Sequence, residues 1–241
     1  MTAEEYYQQH ALAQTSVNAV TASRDFRRLS SRPSEVEYAL HWLGSEGVEG
    51  AILDVGCGPL TLLAGARGMF TRREGVDIAR SPNWDAQLEI ETRLCNLDEA
   101  ALPFADEAFD AVTCLMVIEH VFDPFHAVRE LRRVCKPGGR LVVGVPNLAG
   151  LKRRLELLFG NLPVTSTRTS FNNGAWDGYH LHNFTQASLD WLLRKEGLEP
   201  VRWAAQGRFK WLKQRWPSLF GNDLIVMTTK GSPDHRLAFP F

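Results

Sequence analysis

The chain has little that would tie it to a covalently stapled or metal-stapled framework: four cysteines in 241 residues, Cys57, Cys95, Cys114 and Cys135, with no Cys-x-x-Cys pair among them. Single cysteines inside apolar stretches read as buried, reduced thiols, which excludes a disulfide or zinc scaffold and points to the cytosol. Charge of one dominant sign is missing too, since 27 basic residues face 28 acidic ones for a formal net charge of -1. No global field draws the chain to nucleic acid, and no nucleic-acid partner is expected. No stretch approaches the ~18 apolar residues of a membrane span, and the start, Met1 to His10, has no basic region followed by an apolar one. A cytoplasmic protein is the expectation. What remains is ordinary globular material, 44% hydrophobic and 23% charged, enough for one decorated domain.

Ser34-Glu35-Val36-Glu37 fits a capping box and predicts a helix with the stripe Val36, Leu40, Leu43, ending near Gly44 to Gly47. From residue 51 the pattern alternates: strand 51–55, helical stretch 60–69, then strands 74–77, 90–95 and 109–115. Asp123-Pro124 starts a helix whose inner face is Phe125, Val128, Leu131 and Cys135, and Lys136-Pro137-Gly138-Gly139 stops it before a strand at 140–145. Thr185 caps a further helix, with Leu189, Leu192 and Leu193 inward, followed by strands at 199–204 and 224–229. Short, near-continuously apolar strands alternating with helices mean an α/β fold with a largely parallel sheet covered on both faces. The chain divides into an N-terminal helical cap (1–49), a cofactor-binding half (50–146), an aperiodic segment (147–183) expected to act as a lid, and a C-terminal helix with strands (184–241).

Asp54-Val55-Gly56-Cys57-Gly58 runs a strand into a glycine turn and a helix, at the place where open α/β sheets bind ligands. Gly-x-Gly alone is a weak signal, equally suited to a tight turn with no ligand. Asp54 changes its meaning: a carboxylate here repels a pyrophosphate and suits a cation such as an ammonium. Asp77 ends the next strand, where an acid meets ribose hydroxyls or, more blandly, caps a helix. Together the two acids ask for a ligand with an amine and a ribose, the profile of S-adenosylmethionine.

Five blocks in order carry a family resemblance: Leu53-Asp54-Val55-Gly56-Cys57-Gly58, Gly75-Val76-Asp77, Leu102-Pro103-Phe104 through Phe109-Asp110, Val117-Ile118-Glu119-His120-Val121, and Lys136-Pro137-Gly138-Gly139-Arg140-Leu141. Residues 50–146 thereby resemble a class I S-adenosylmethionine-dependent methyltransferase of the type 11 group. The resemblance implies a Rossmann-like, seven-stranded sheet and S-adenosylmethionine as cofactor, with S-adenosylhomocysteine as product. It implies that Asp54, Gly56, Cys57 and Gly58 meet the methionine end and that Asp77 and Ile78 meet the ribose. Asp98, with Leu97 and Glu99 beside it, would serve the adenine, Asn96 being a rival to Asp98, while Met116 and Val117 line the pocket below the sulfonium. Leu60, preceded by Pro59, departs from the family's third glycine. Beyond Pro146 the likeness, carried by Val145-Pro146-Asn147, Arg154-Leu155-Glu156-Leu157-Leu158-Phe159-Gly160, Pro163-Val164-Thr165 and His180-Leu181-His182-Asn183-Phe184-Thr185, is to MetW-like and to quinone and glycan methyltransferases. It implies methyl transfer to a small molecule, favouring oxygen. The alternative is a MetW-like regulatory partner that binds the cofactor and has no acceptor of its own.

A hydroxyl acceptor must lose a proton, and an imidazole does this work near neutral pH. His120, beside Glu119 after the fourth strand, is the candidate base or acceptor ligand. His180 and His182 are further candidates from the lid, against a plainer role as a polar hinge. No metal site is expected, because His-x-His has no third ligand at suitable spacing. Two basic and apolar stretches, Lys152 to Phe159 and Arg208 to Trp216, resemble interfacial segments and suggest weak contact with a membrane surface or a lipid-linked acceptor.

Overall fold

The computed structural model describes residues 29–31, 33–87, 89–166, 176–206, 212, 215–234 and 236–239. Seven strands form one sheet: β1 (Ala51–Val55), β2 (Arg72–Asp77), β3 (Glu91–Leu94), β4 (Phe109–Leu115), β5 (Cys135–Pro146), β6 (Leu198–Ala205) and β7 (Asp223–Lys230), in spatial order β3-β2-β1-β4-β5-β7-β6. The pairs from β3 to β5 are parallel, and β7 runs antiparallel to both of its neighbours. Chain order reverses between β1 and β4, so the loops leaving these two strands flank a crevice at the carboxyl edge of the sheet.

The helices are α1 (Glu35–Ser45), α2 (Thr61–Gly65), α3 (Pro124–Val134), α4 (Leu151–Leu158), α5 (Gln186–Lys195) and the single turn α6 (Pro217–Phe220). Ser34 and Glu37 form the expected capping box on α1, and Thr185 forms one on α5 with Ser188. Asp123 caps α3 by accepting from the amides of Phe125 and His126. Each face of the sheet has its own core. Leu53, Val55, Val112, Leu141 and Val143 pack with Val128, Leu131 and Leu189 on one side. Ile52, Ala111 and Val142 pack with Leu40, Leu43 and Leu63 on the other. Alternate residues of one strand therefore feed opposite cores, which is why β1 is buried throughout.

The structure revises two elements. The helix after the glycine turn is only Thr61–Gly65, because Leu60 sits in the left-handed region at φ 65° and Gly68 turns the chain at φ 78° soon after. Strand β5 begins at Cys135 and absorbs the Lys136 to Gly139 stretch, with Gly138 at φ 76° and a register shift opposite Phe109/Ala111. All four cysteines are free thiols, and three are buried. No helix among the described residues is long and apolar enough to cross a membrane.

Candidate active site

The glycine turn is clamped onto β2. The amides of Gly56 and Cys57 both donate to the Val76 carbonyl, at 2.8 and 3.1 Å, and the Gly58 amide donates to Asp77 Oδ2 at 2.8 Å. Trp84 Nε1 donates to the Gly58 carbonyl at 2.8 Å, a partner that the sequence pattern did not single out. Gly56 has φ 77°, and a Cβ there would lie 2.1 Å from Val117 Cγ2, so the turn packs directly on the loop leaving β4. A Cβ on Gly58 would meet nothing within 4 Å. That space lies open in front of the turn.

Asp54 is buried and stands opposite Thr113 in the β1–β4 register, which gives the 2.6 Å bond from Thr113 Oγ1 to Asp54 Oδ1. Burial pushes the Asp54 carboxyl up to about 7, with Asp77 adding to the rise and the Thr113 bond opposing it. Asp77 is also pushed up by burial and held back by the amides of Gly58, Ala79 and Ile78. Asp77 Oδ2 accepts from Gly58 and Oδ1 from Ala79, and the carboxylate keeps acceptor capacity for a further donor. The Cys57 thiol, pushed far up by burial, packs where a side chain on Gly75 would collide with it at 2.7 Å.

Past β3, Asn96 Oδ1 accepts from the Asp98 amide at 3.1 Å, Leu97 is buried, and Asp98 and Glu99 are exposed. Asp98 Oδ1 accepts from the Phe122 amide at 2.7 Å, tying this loop to the one after β4. Met116, at φ 58°, and Val117 are half-buried where that second loop begins.

Glu119 and His120 follow. Among the described residues neither buried carboxylate oxygen of Glu119 has a hydrogen-bond partner, and burial pushes the group up to about 8. The Glu119 carbonyl accepts from the amides of Leu181 and His182 at 2.8 and 3.0 Å, which brings the second histidine-bearing segment onto the loop. His120 and His180 consequently meet edge to face, ring centroids 4.7 Å apart. Burial, reinforced by His180, pushes His120 down to about 4, and burial lowers His180 as well. His182 stands apart from this pair, its Nε2 3.3 Å from the Phe122 carbonyl.

Two residues without an assigned role in the sequence reading complete the cluster. Thr165 Oγ1 lies 2.6 Å from His180 Nδ1 and donates to Asp177 Oδ2 at 2.8 Å. Asp177 also accepts from the amides of Thr165 and Ser166, at 3.0 and 2.8 Å. Helix α4 buries none of its residues and leaves Leu157, Leu158 and Phe159 exposed. Of the second basic stretch, residues 208–211, 213 and 214 lie outside the described residues, as do residues 1–28 and 32 of the N-terminal cap.

The sheet order, the glycine turn at the switch point and the acid closing β2 define a Rossmann-like α/β protein of the class I methyltransferase fold. Residues 53–143 match the family described as a methyltransferase domain. The chain is 37% identical over 122 residues to a ubiquinone biosynthesis O-methyltransferase of Alkalilimnicola ehrlichii, covering 48% of this chain and 49% of that one. It is 31% identical over 165 residues to the 27-O-demethylrifamycin SV methyltransferase of Amycolatopsis mediterranei, covering 62% and 54%. The chain thus spans about half the length of these curated relatives. The Burkholderia thailandensis 1,6-didemethyltoxoflavin-N1-methyltransferase, solved with S-adenosylhomocysteine, shares the fold at TM-score 0.57 and 16% identity over 83% of this chain and 79% of its own.

Proposed function

We propose that the protein transfers the methyl group of S-adenosylmethionine to a hydroxyl of a small molecule and releases S-adenosylhomocysteine. The observation that carries this reading is the arrangement at the switch point: a buried acid before the glycine turn, a second acid bonded to that turn, and an imidazole pair after β4.

The residues present fit the cofactor. Asp54 is a buried carboxyl whose ionisation is held back for want of a positive partner, which an ammonium supplies. Asp77 has acceptor capacity left for ribose hydroxyls, and open space lies in front of Gly58. Asp98, with Asn96 beside it, is assigned to the adenine, and Met116 and Val117 to the wall below the sulfonium. When bound, the cofactor supplies an electrophilic methyl on a cationic sulfur. The chain's own task is to hold the acceptor in line and keep water out. Glu119, His120 and His180 manage the acceptor's hydroxyl, with Thr165 and Asp177 beside His180; residues 167–175 of the expected lid lie outside the described residues. The similarity to a ubiquinone biosynthesis O-methyltransferase and to a 27-O-demethylrifamycin SV methyltransferase supports oxygen as the atom methylated.

The test is titration calorimetry with S-adenosylhomocysteine, followed by mass spectrometry of reactions with catechols, hydroquinols and glycans. A mass gain of one methylene on a hydroxyl acceptor is the expected result. Absence of cofactor binding overturns the reading.

A further inference from the structure

Glu119 presents an anomaly that methyl transfer alone does not resolve. Its side chain is 1% exposed, and among the described residues neither oxygen has a hydrogen-bond partner. Leaving a buried carboxyl unsatisfied is costly, and native structures retain such a group where something else completes it. His120 Nε2 stands 3.9 Å from Glu119 Oε1, beyond hydrogen-bonding distance.

The hydrogen bonds around the two imidazoles fix their tautomers. His120 Nδ1 lies 3.2 Å from the Tyr179 carbonyl, which can only accept, so the proton sits on Nδ1 and the Nε2 lone pair is the basic one. For His180 the argument passes through Thr165. The threonine hydroxyl has one proton and gives it to Asp177, a carboxylate already accepting from two amides. Its oxygen must therefore accept from His180 Nδ1, which again makes the Nε2 lone pair the basic one. An imidazole whose Nδ1–H is anchored by a carbonyl, or by a hydroxyl backed by a carboxylate, is the usual arrangement behind a metal-binding histidine.

One ligand atom from each of Glu119, His120 and His180 lies within 4.8 Å of the others. Adjacent ligands of a four-coordinate ion stand roughly 3.4 Å apart, given bonds of about 2.0 to 2.2 Å. The cluster has to close by up to about 1.4 Å around an ion. We propose that Glu119, His120 and His180 form a binding site for a first-row divalent metal ion, of the Zn²⁺ or Co²⁺ type, with Thr165 and Asp177 as positioning residues for His180. Two imidazoles and one carboxylate suit such an ion and leave a coordination position open.

The role of that open position rests on the methyl-transfer reading. The acceptor's hydroxyl binds there through oxygen, the ion lowers its pKa, and its proton passes to solvent. The oxygen lone pair then forms the new C–O bond as the C–S bond breaks and the sulfonium charge disappears.

The test uses chelator-treated full-length protein titrated with Co²⁺, read by visible d–d absorption. One equivalent should bind with d–d bands, and Glu119→Gln and His180→Ala should each weaken it at least tenfold. Thr165→Val, which keeps all three ligands, should weaken it by about 10- to 100-fold, as loss of an outer partner does. Circular dichroism shows whether each variant folds. Absence of Co²⁺ binding, or binding indifferent to all three substitutions, overturns the metal site. S-adenosylhomocysteine titration of the metal-free protein separates the two claims. Cofactor binding without Co²⁺ binding removes the ion alone, whereas Co²⁺ binding without cofactor binding removes the methyl-transfer reading and keeps the site.

Discussion

Asp77 and Gly58 are joined by a 2.8 Å bond from the glycine amide to the carboxylate, so the acid that closes β2 also fixes the turn that leaves β1. Two parts of the cofactor crevice are thereby one mechanical unit, and a change at Asp77 is felt at both.

Replacing Asp77 with alanine removes charge-assisted acceptors for the ribose, each worth about 1.5 to 3 kcal/mol, and frees the Gly58 amide. The expected outcome is an affinity for S-adenosylhomocysteine at least about tenfold lower, measured by calorimetry. Unchanged affinity would place the cofactor elsewhere.

With Asp54 at the ammonium, as proposed, cofactor binding should depend on pH. The folded-state pKa of Asp54, about 7, is raised above the ordinary 3.8 by burial. The stability it contributes is whole below 3.8 and is lost as pH rises through about 7. An ammonium ligand favours the ionised form, so binding below about pH 7 expels the proton. Affinity should rise by up to roughly tenfold per pH unit towards neutrality and then level off. Calorimetry in buffers of different ionisation enthalpy detects that proton release, and Asp54→Asn should abolish it.

Gly56→Ala should damage the turn in two separable ways. The φ of 77° is strained for any residue with a Cβ, by about 1 to 2 kcal/mol, and that Cβ would overlap Val117 Cγ2. Adding Val117→Ala removes the overlap and leaves the strain. Thermal melts should therefore show the double variant more stable than Gly56→Ala and less stable than Val117→Ala.

Asp110 anchors the opposite edge of the sheet, accepting from the Ala51 amide at 2.8 Å and from Lys136 Nζ at 2.9 Å. Lys136 and the backbone amides hold its carboxyl below the ordinary 3.8 despite partial burial. Its stabilisation is present above pH 3.8 and is lost as pH falls through the lower folded value. Asp110→Ala should cost about 1 to 2 kcal/mol at neutral pH and flatten the acid limb of the stability curve, as denaturant unfolding at several pH values would show.

Much of the fold was legible because its signals are local. Ser34, Asp123 and Thr185 announce their helices through side-chain oxygens serving amides two or three residues away. Strands Ala51–Val55 and Phe109–Leu115 fall where the apolar runs put them, because a strand buried on both faces leaves no position for a charge without a partner. Leu60 was harder. Proline before it suggested a helix already under way, yet the turn, closed by the Leu60 amide on the Cys57 carbonyl at 2.8 Å, puts Leu60 in a conformation that glycine favours. Its fully buried side chain accounts for a leucine there, since burying it offsets a strain of about 1 to 2 kcal/mol.

By itself the sequence determined the α/β class, the position of the glycine turn and the pair of acids that point to a ligand with an amine and a ribose. Spacing along the chain showed His180 and His182 without a third partner of suitable separation. Only the tertiary structure decided that His180 meets His120 and Glu119, that His182 turns to the Phe122 carbonyl, and that Thr165 and Asp177 set the His180 tautomer. The reason is physical: a cap or a strand is specified within a few residues, whereas a cluster drawn from the β4 loop and the segment before α5 exists only once the Glu119 carbonyl holds the amides of Leu181 and His182.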